Sequence, residues 1–265
     1  MRIATWNVNS VLARLPRLVE WLGVVEPDVL CLQELKTAEF PVEAVSDLGY
    51  EVATHATGPW NGVAILSRIG IADERPGLLD EPGYQPDGAM LAAPEPRALG
   101  ATCGGVRCWS VYVPNGREVG HGHYAYKLDW LAALRSTVEA ELPAHPALAV
   151  LGDFNIAPSD VDVWDPAAFD GLTHVTAPER DALAALRSLG LVDVVPRALK
   201  YDTPFTYWDY RAGMFHKNQG MRIDLVLASE PVGARVRDAY VDRDARKGKL
   251  PSDHAPVVVD LEVSA

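Results

Sequence analysis

Four apolar runs in this chain border residues that carry oxygen or imidazole donors, and that pattern restricts its folding more than any other feature. Ile3-Ala4-Thr5-Trp6 leads into Asn7 and Asn9, Val29-Leu30-Cys31-Leu32-Gln33 into Glu34, and Ala149-Val150-Leu151-Gly152 into Asp153 and Asn155, while Asp253-His254 come just before Val257-Val258-Val259. Runs of this length read as buried strands. Their polar neighbours cannot share the core without partners, so they are expected to gather at one rim of a sheet. Oxygen donors with a single imidazole at a shared rim imply a hard divalent cation and ester chemistry at phosphorus.

The intervals between these runs specify an α/β protein. Leu15, Leu18, Val19, Leu22 and Val25 recur at helical spacing over 14–25, and Pro27 stops that helix. With strands at 2–8 and 28–33 this makes a β-α-β opening. A second such passage follows at 41–48 and 50–54, then a strand at 63–67. From Ala89 to Val113 the pattern is strand-rich, with a turn at Gly104-Gly105. Helices are predicted at 123–142 and 178–189, and strands at 147–151, 223–229, 236–241 and 256–263. Many short strands separated by helices, in two comparable halves, predict two packed sheets covered outside by helices. No linker divides residues 1–265, so one domain is expected.

Composition narrows the class. No apolar run in the sequence is long enough to cross a bilayer, so a soluble, cytoplasmic protein with no membrane partner is expected. Cys31, Cys103 and Cys108 lack the nearby third and fourth ligands of a zinc site and read as reduced packing residues. The net charge of −12 argues against a surface that is basic throughout. Residues 205–254 nevertheless hold nine Lys/Arg against seven acids, which predicts a local basic edge.

Each candidate residue has a plainer reading beside the chemical one. Glu34 alone is an acid leaving a strand, but beside Asn7 it becomes a cation anchor. Asp153 and Asn155, two apart on extended backbone, face the same way; an Asx turn would use the same residues. Asp224, in Ile223-Asp224-Leu225-Val226-Leu227, would be a costly buried charge without a partner, and His254 is the natural one. Tyr112 taken alone reads as packing. The other histidines, His55, His121, His123, His145, His174 and His216, read as surface residues. The aromatic cluster from Phe205 to Tyr210, with Tyr207 and Trp208, is either a packed corner or a stacking surface for a displaced sugar or base.

Taken together, Trp-Asn-Val-Asn-Ser (6–10), Leu-Gln-Glu-Leu-Lys (32–36), Asn-Gly-Val-Ala-Ile-Leu-Ser-Arg (61–68), Val-Tyr-Val-Pro-Asn-Gly (111–116), Gly-Asp-Phe-Asn-Ile-Ala (152–157), Gly-Met-Arg-Ile-Asp (220–224) and Ser-Asp-His-Ala-Pro (252–256) resemble the exonuclease III class of abasic-site endonucleases. The resemblance implies a DNase I-like four-layer α/β sandwich: two packed mixed β-sheets flanked by helices. It also implies dependence on Mg²⁺, with Mn²⁺ as the alternative. The implied reaction is hydrolysis of the phosphodiester 5′ to an abasic site in duplex DNA, with 3′-5′ exonuclease or 3′-phosphatase activity on blocked ends, by a monomer.

Carried over by position, Glu34 binds metal with Asn7, and Asp253 completes the metal side, to which Asp153 and Asn155 also belong. Asp153 positions or deprotonates the attacking water, Asn155 holds the phosphate and Tyr112 contacts the phosphate or leaving group. Asp224 orients His254. Tyr207, Met221 and Ile223 line the pocket for the displaced sugar, with Trp208 and Arg222 as neighbouring substrate contacts; Met221 stands where relatives often carry Trp or Leu. Two rivals are a phosphoesterase of the same superfamily acting on a small or lipid phosphate, and a DNA-binding module without catalysis.

Overall fold

The computed structural model describes residues 1–85 and 91–262. Ala89 and Val263, which the sequence reading assigns to a strand-rich stretch and a strand, lie outside the described residues. In chain order the strands are β1 (Arg2–Asn7), β2 (Val29–Gln33), β3 (Glu51–His55), β4 (Val63–Ser67), β5 (Ala72–Pro76), β6 (Ala98–Cys103), β7 (Val106–Tyr112), β8 (Leu148–Asp153), β9 (Leu191–Asp193), β10 (Arg197–Ala198), β11 (Asp224–Ser229), β12 (Val236–Val241) and β13 (Val257–Leu261). The α-helices are α1 (Val11–Val25), α2 (Glu43–Ser46), α3 (Gly122–Glu141), α4 (Ala177–Arg187), α5 (Met214–Lys217) and α6 (Glu230–Gly233).

The strands form two mixed sheets, ordered β10-β12-β13-β1-β2-β4-β3 and β5-β6-β7-β8-β11-β9. Alternation along each strand divides its apolar residues between two covered faces, which is why the sequence shows continuous runs rather than an apolar/polar alternation. Ile3, Val29, Cys31 and Ile65 of the first sheet meet Cys103, Cys108, Leu151 and Val226 of the second. On the outer face of the first sheet, Ala4, Trp6, Leu30 and Leu32 pack on Leu18, Trp21 and Leu22 of α1. On the outer face of the second, Trp109, Val111, Val150 and Leu225 pack on Trp130, Leu134, Leu183 and Leu186 of α3 and α4. The result is four layers, helix, sheet, sheet, helix. The three cysteines are buried free thiols. No helix among the described residues is long and apolar enough to cross a membrane.

Local signals set the ends of α1. The Ser10 side chain accepts a hydrogen bond from the Ala13 amide, and Glu26 closes the helix in a left-handed conformation (φ 48°) directly before Pro27. Three strands, β5, β9 and β10, are absent from the sequence reading. β5 is largely exposed and the others span three and two residues, so none carries an apolar period.

Register decides what reaches the rim. Tyr112 of β7 lies beside Asp153 of β8, and Asp153 beside Asp224 of β11. Residues abreast on neighbouring strands project to the same face, so these three side chains form a row. Asn7 of β1 lies beside Gln33 of β2, which brings Glu34 to the matching edge of the first sheet. A polar bridge ties the sheets beneath that edge: Thr5 Oγ1 donates to Gln33 Oε1 (3.1 Å), Gln33 Nε2 to Ser110 Oγ (3.1 Å), and Ser110 Oγ to the Leu32 carbonyl (3.0 Å). Gly152 adopts φ 155°, and a Cβ there would fall 1.9 Å from the Val111 carbonyl oxygen. Only glycine lets β7 and β8 approach so closely one residue before Asp153.

Candidate active site

The rim residues surround a cavity of about 180 Å³ lined by Glu34, Tyr112, Asp153, Asn155, Asp253 and His254, among others. One ligand atom each from Glu34, Asp153 and His254 lies within 4.8 Å of the others. His254 Nδ1 donates to Asp224 Oδ2 at 2.8 Å, while its Nε2 stands 3.8 Å from Asp153 Oδ2. Burial alone would lower the imidazole pKa, but the Asp224 and Asp153 carboxylates outweigh it and raise it. Asp153 is also raised, first by burial and then by the Asp224 and Glu34 charges, against the opposing pull of His254.

Glu34 behaves in the opposite way. Burial would raise its pKa, yet the Lys36 ammonium, 2.6 Å away, and the Asn7 amide hold it below the usual range. Its backbone takes a left-handed φ of 55°, which costs an L-residue roughly 1–2 kcal/mol and places strain at the rim. Tyr112, next to the Asp153 row, has a phenol pushed well up by burial and by Glu34, so it stays protonated.

Asn7 has a role beside that of the expected ligand. Its Nδ2 donates to Glu34 Oε1 and to Asp153 Oδ2, both at 2.9 Å, while its Oδ1 accepts from the Asn9 backbone amide at 3.0 Å. Because a backbone N–H can only donate, the oxygen must face Asn9 and the nitrogen must face the carboxylates. Asn7 therefore bridges two acids as a donor, while its Oδ1, bonded once by Asn9, keeps a second lone pair on the side of the rim. Asn155 is likewise engaged: Oδ1 accepts from Asn115 Nδ2 (3.2 Å) and Nδ2 donates to the Val113 carbonyl (3.0 Å). Asp153 Oδ1 in turn accepts from the Asn155 amide at 2.9 Å.

Behind this flank lies a buried ion pair. Lys127 on α3 and Glu179 on α4 are fully buried and bonded to each other, and Lys127 Nζ donates to the Asn155 carbonyl at 2.7 Å. Glu179 also closes the capping box of α4 with Thr176. His174 Nδ1 donates to the same Asn155 carbonyl at 2.6 Å. Burial and the Lys127 charge lower the His174 pKa, so its ring is neutral with Nε2 bare, and it lines the cavity. His174 is half-buried, and His123 is buried, accepting from the Gly116 amide. Neither is the surface residue expected. Their signal in the sequence was weak because each sits in or beside a loop whose burial depends on distant helices. Asn115 and Lys36 belong to the same missed group.

On the far wall the Tyr207 ring lies 4.9 Å from the His254 ring, and Tyr207, Met221 and Ile223 pack with Val163. All three line the cavity except Val163. Trp208 and Arg222, expected as substrate contacts, do not. Trp208 is 1% exposed, with Nε1 donating to Asn218 Oδ1 at 3.3 Å. Alternation turns it inward where Tyr207 faces the cavity. Arg222 is 3% exposed and gives both arms to carboxylates, Nε to Asp162 (2.6 Å) and Nη2 to Asp193 (2.9 Å). The expected basic edge is also reduced: Arg222 is internal, and Arg211, Lys247 and Arg237 pair with Asp209, Asp244 and Glu262.

The donor set suits a hard cation. Glu34 and Asp153 bring carboxylate oxygens close together, Asp253 lines the same cavity with its Oδ1 accepting from Asn9 Nδ2 at 3.0 Å, and a small cation that keeps several waters needs only one or two carboxylates.

The chain matches the family described as endonuclease/exonuclease/phosphatase over residues 4–254. It is 30% identical to exodeoxyribonuclease III of Haemophilus influenzae, across 99% of this chain and 100% of that one. Among solved structures it resembles the 3′ phosphatase NExo from Neisseria bound to a product DNA hairpin, with 38% identity, a TM-score of 0.91, and 99% and 100% of the two chains covered. An AP endonuclease from Archaeoglobus fulgidus matches at 32% identity with a TM-score of 0.89, over 99% and 100% of the chains.

Proposed function

The chain belongs to the endonuclease/exonuclease/phosphatase family, in the branch of exodeoxyribonuclease III and the AP endonucleases, and we propose that it is a Mg²⁺-dependent, monomeric DNA-repair nuclease that hydrolyses the phosphodiester 5′ to abasic sites in duplex DNA. The observation that carries this reading is the convergence of Glu34, Asp153 and His254, from three distant stretches, within 4.8 Å.

In the proposed reaction Asp153 takes the proton of the attacking water, a task for which its raised pKa fits it better than an ordinary carboxylate. His254, held by Asp224 through Nδ1, keeps its Nε2 proton and donates it to a nonbridging phosphate oxygen as charge accumulates there. Asn155 lies on the same phosphate side. The Tyr112 hydroxyl, kept protonated, faces the leaving oxygen. Tyr207, Met221 and Ile223 form the wall for the displaced sugar. Glu34, with Asp153 and Asp253, would hold Mg²⁺, which when bound neutralises phosphate charge and stabilises the departing oxygen. Asn7 keeps the two acids together before metal binds.

A second activity is supported by likeness: the 3′ phosphatase NExo is 38% identical to this chain and shares its fold over 99% of this chain's length. We therefore include removal of 3′-terminal phosphates in the reading. The test is a labelled duplex with one abasic analogue, and a nicked duplex ending in 3′-phosphate, each incubated with Mg²⁺ or with chelator. Cleavage of at least one with Mg²⁺, and of neither with chelator, is expected. If both stay intact at protein excess while an inositol phosphate or lipid head group is hydrolysed, the reading fails.

A further inference from the structure

Two guanidiniums next to the catalytic cavity have no acidic partner. Arg243 and Arg246, in the 3₁₀ turn Arg243–Arg246, are 7% and 6% exposed, and no carboxylate among the described residues pairs with either. Both lie over the Phe215 ring, at 3.8 Å and 5.0 Å from its centroid, so one aromatic ring serves two like charges. Each donates one bond to a backbone carbonyl, Arg243 to Phe215 (2.7 Å) and Arg246 to Trp208 (3.1 Å), and each leaves Nε without a partner. Burying an uncompensated charge is costly, and stacking on an aromatic face recovers only part of the cost. Arg222, buried to a similar degree, is by contrast given two carboxylates.

Arg246 also lines a cavity of about 260 Å³ with Tyr210, His216 and Lys247. One carboxylate borders this space, Asp209, and it is already held by Arg211 at both oxygens; Lys247 pairs with Asp244 at 2.7 Å, an exposed surface pair that a phosphate can displace at little cost. The cavity adjoins the catalytic one. Tyr207 and Asp253 line the first, Tyr210 and Pro251 the second, and between them the Trp208 amide donates to the Asp253 carbonyl at 3.0 Å.

We propose that this cavity is a second anion subsite, in which Arg246 and Lys247 receive a backbone phosphate of the same DNA a few nucleotides from the bond being cut. The inference rests on the nuclease reading given above and assigns it a contact outside the reacting group. A phosphodiester supplies the missing counter-charge. On a chain of net charge −12, whose general field repels DNA, such a local contact carries a larger share of binding than it would on a basic protein.

Binding of an uncut duplex in chelator is measured against salt concentration for the wild type, Arg246→Gln and Lys247→Gln, with a thermal melt of each. Lys247 is exposed, so its variant tests the subsite without disturbing the fold. In Lys247→Gln the slope of log K against log salt is expected to become shallower by about one, with an unchanged melt. Arg246→Gln is expected to match it. A wild-type slope in Lys247→Gln overturns the subsite, whatever Arg246→Gln does. If the wild type neither binds nor cuts DNA, the nuclease reading fails instead, so the two failures are distinguishable. Cleavage of a mononucleotide 3′-phosphate, too short to reach the second cavity, should be equal in all three proteins; an equal loss there and on the duplex also overturns the subsite.

Discussion

At the scale of single residues, Asp153 is the point of greatest tension. It is 1% exposed, faces Asp224 across the sheet, and is opposed electrostatically by Glu34. Its folded-state pKa is raised, so its proton is lost only well above the ordinary carboxylate range. Two consequences have the same sign. In the metal-free protein the base form disappears as pH falls through that raised value, so the Asp153 carboxyl followed by NMR in chelator should titrate closer to neutrality than a free carboxylate. The folded state also holds this proton more tightly than the unfolded chain does; Asp153 therefore adds stability below the unfolded pKa, and that contribution is lost as pH rises through the folded one. Asp153→Asn is expected to lower kcat by at least about 10²-fold. Its melting temperature relative to wild type should shift in its favour between acid and mildly alkaline pH, as read by scanning calorimetry. Asp224→Asn removes the carboxylate that holds His254 Nδ1; a loss of about 10²–10⁴-fold in kcat with little change in KM is expected from steady-state kinetics.

Arg222 connects elements rather than substrate. Between Met221 and Ile223 of the cavity wall, it ties the loop holding Asp162 to Asp193 of β9. Arg222→Met would leave two buried carboxylates without their cation, and a loss of about 3–5 kcal/mol in urea denaturation is expected. Gly152→Ala is expected to be at least as damaging, because neither β7 nor β8 can yield without breaking the Tyr112, Asp153 and Asp224 row. These elements also mark where sequence reading succeeds and stops. β1, β2, β4, β8 and β11 are legible because helices or a second sheet cover both their faces, so their middle positions form mostly apolar runs. The Asp224–His254 pair is legible because a buried carboxylate must find a cation. The same argument from cost also applies to Arg222, but block resemblance gave that residue to the substrate. His174 and Asn115 are illegible for a different reason: what places them at the cavity is the Lys127–Glu179 pair between two helices, which no local pattern records.

For the molecule as a whole, the inter-sheet core draws residues from both halves of the chain, so urea unfolding is expected as one cooperative transition by fluorescence and circular dichroism alike. The candidate metal site sits at the rim and not within that core. Chelation should abolish cleavage yet barely move the melt, since a cation present near its dissociation constant stabilises by only about 0.4 kcal/mol. β1 lies between β2 and β13, with Arg2 beside Asp260 and the Leu261 amide donating to the Met1 carbonyl. Synthesis runs in one direction, so β1 emerges from the ribosome long before its neighbour on that side exists. Asn7 and Glu34 are made before β13, and His254 arrives just ahead of it. The capacity to cut is thus completed only once the segment that pairs with the far side of β1 has been made, and a product terminated before it would be an inert fragment instead of an unguarded nuclease.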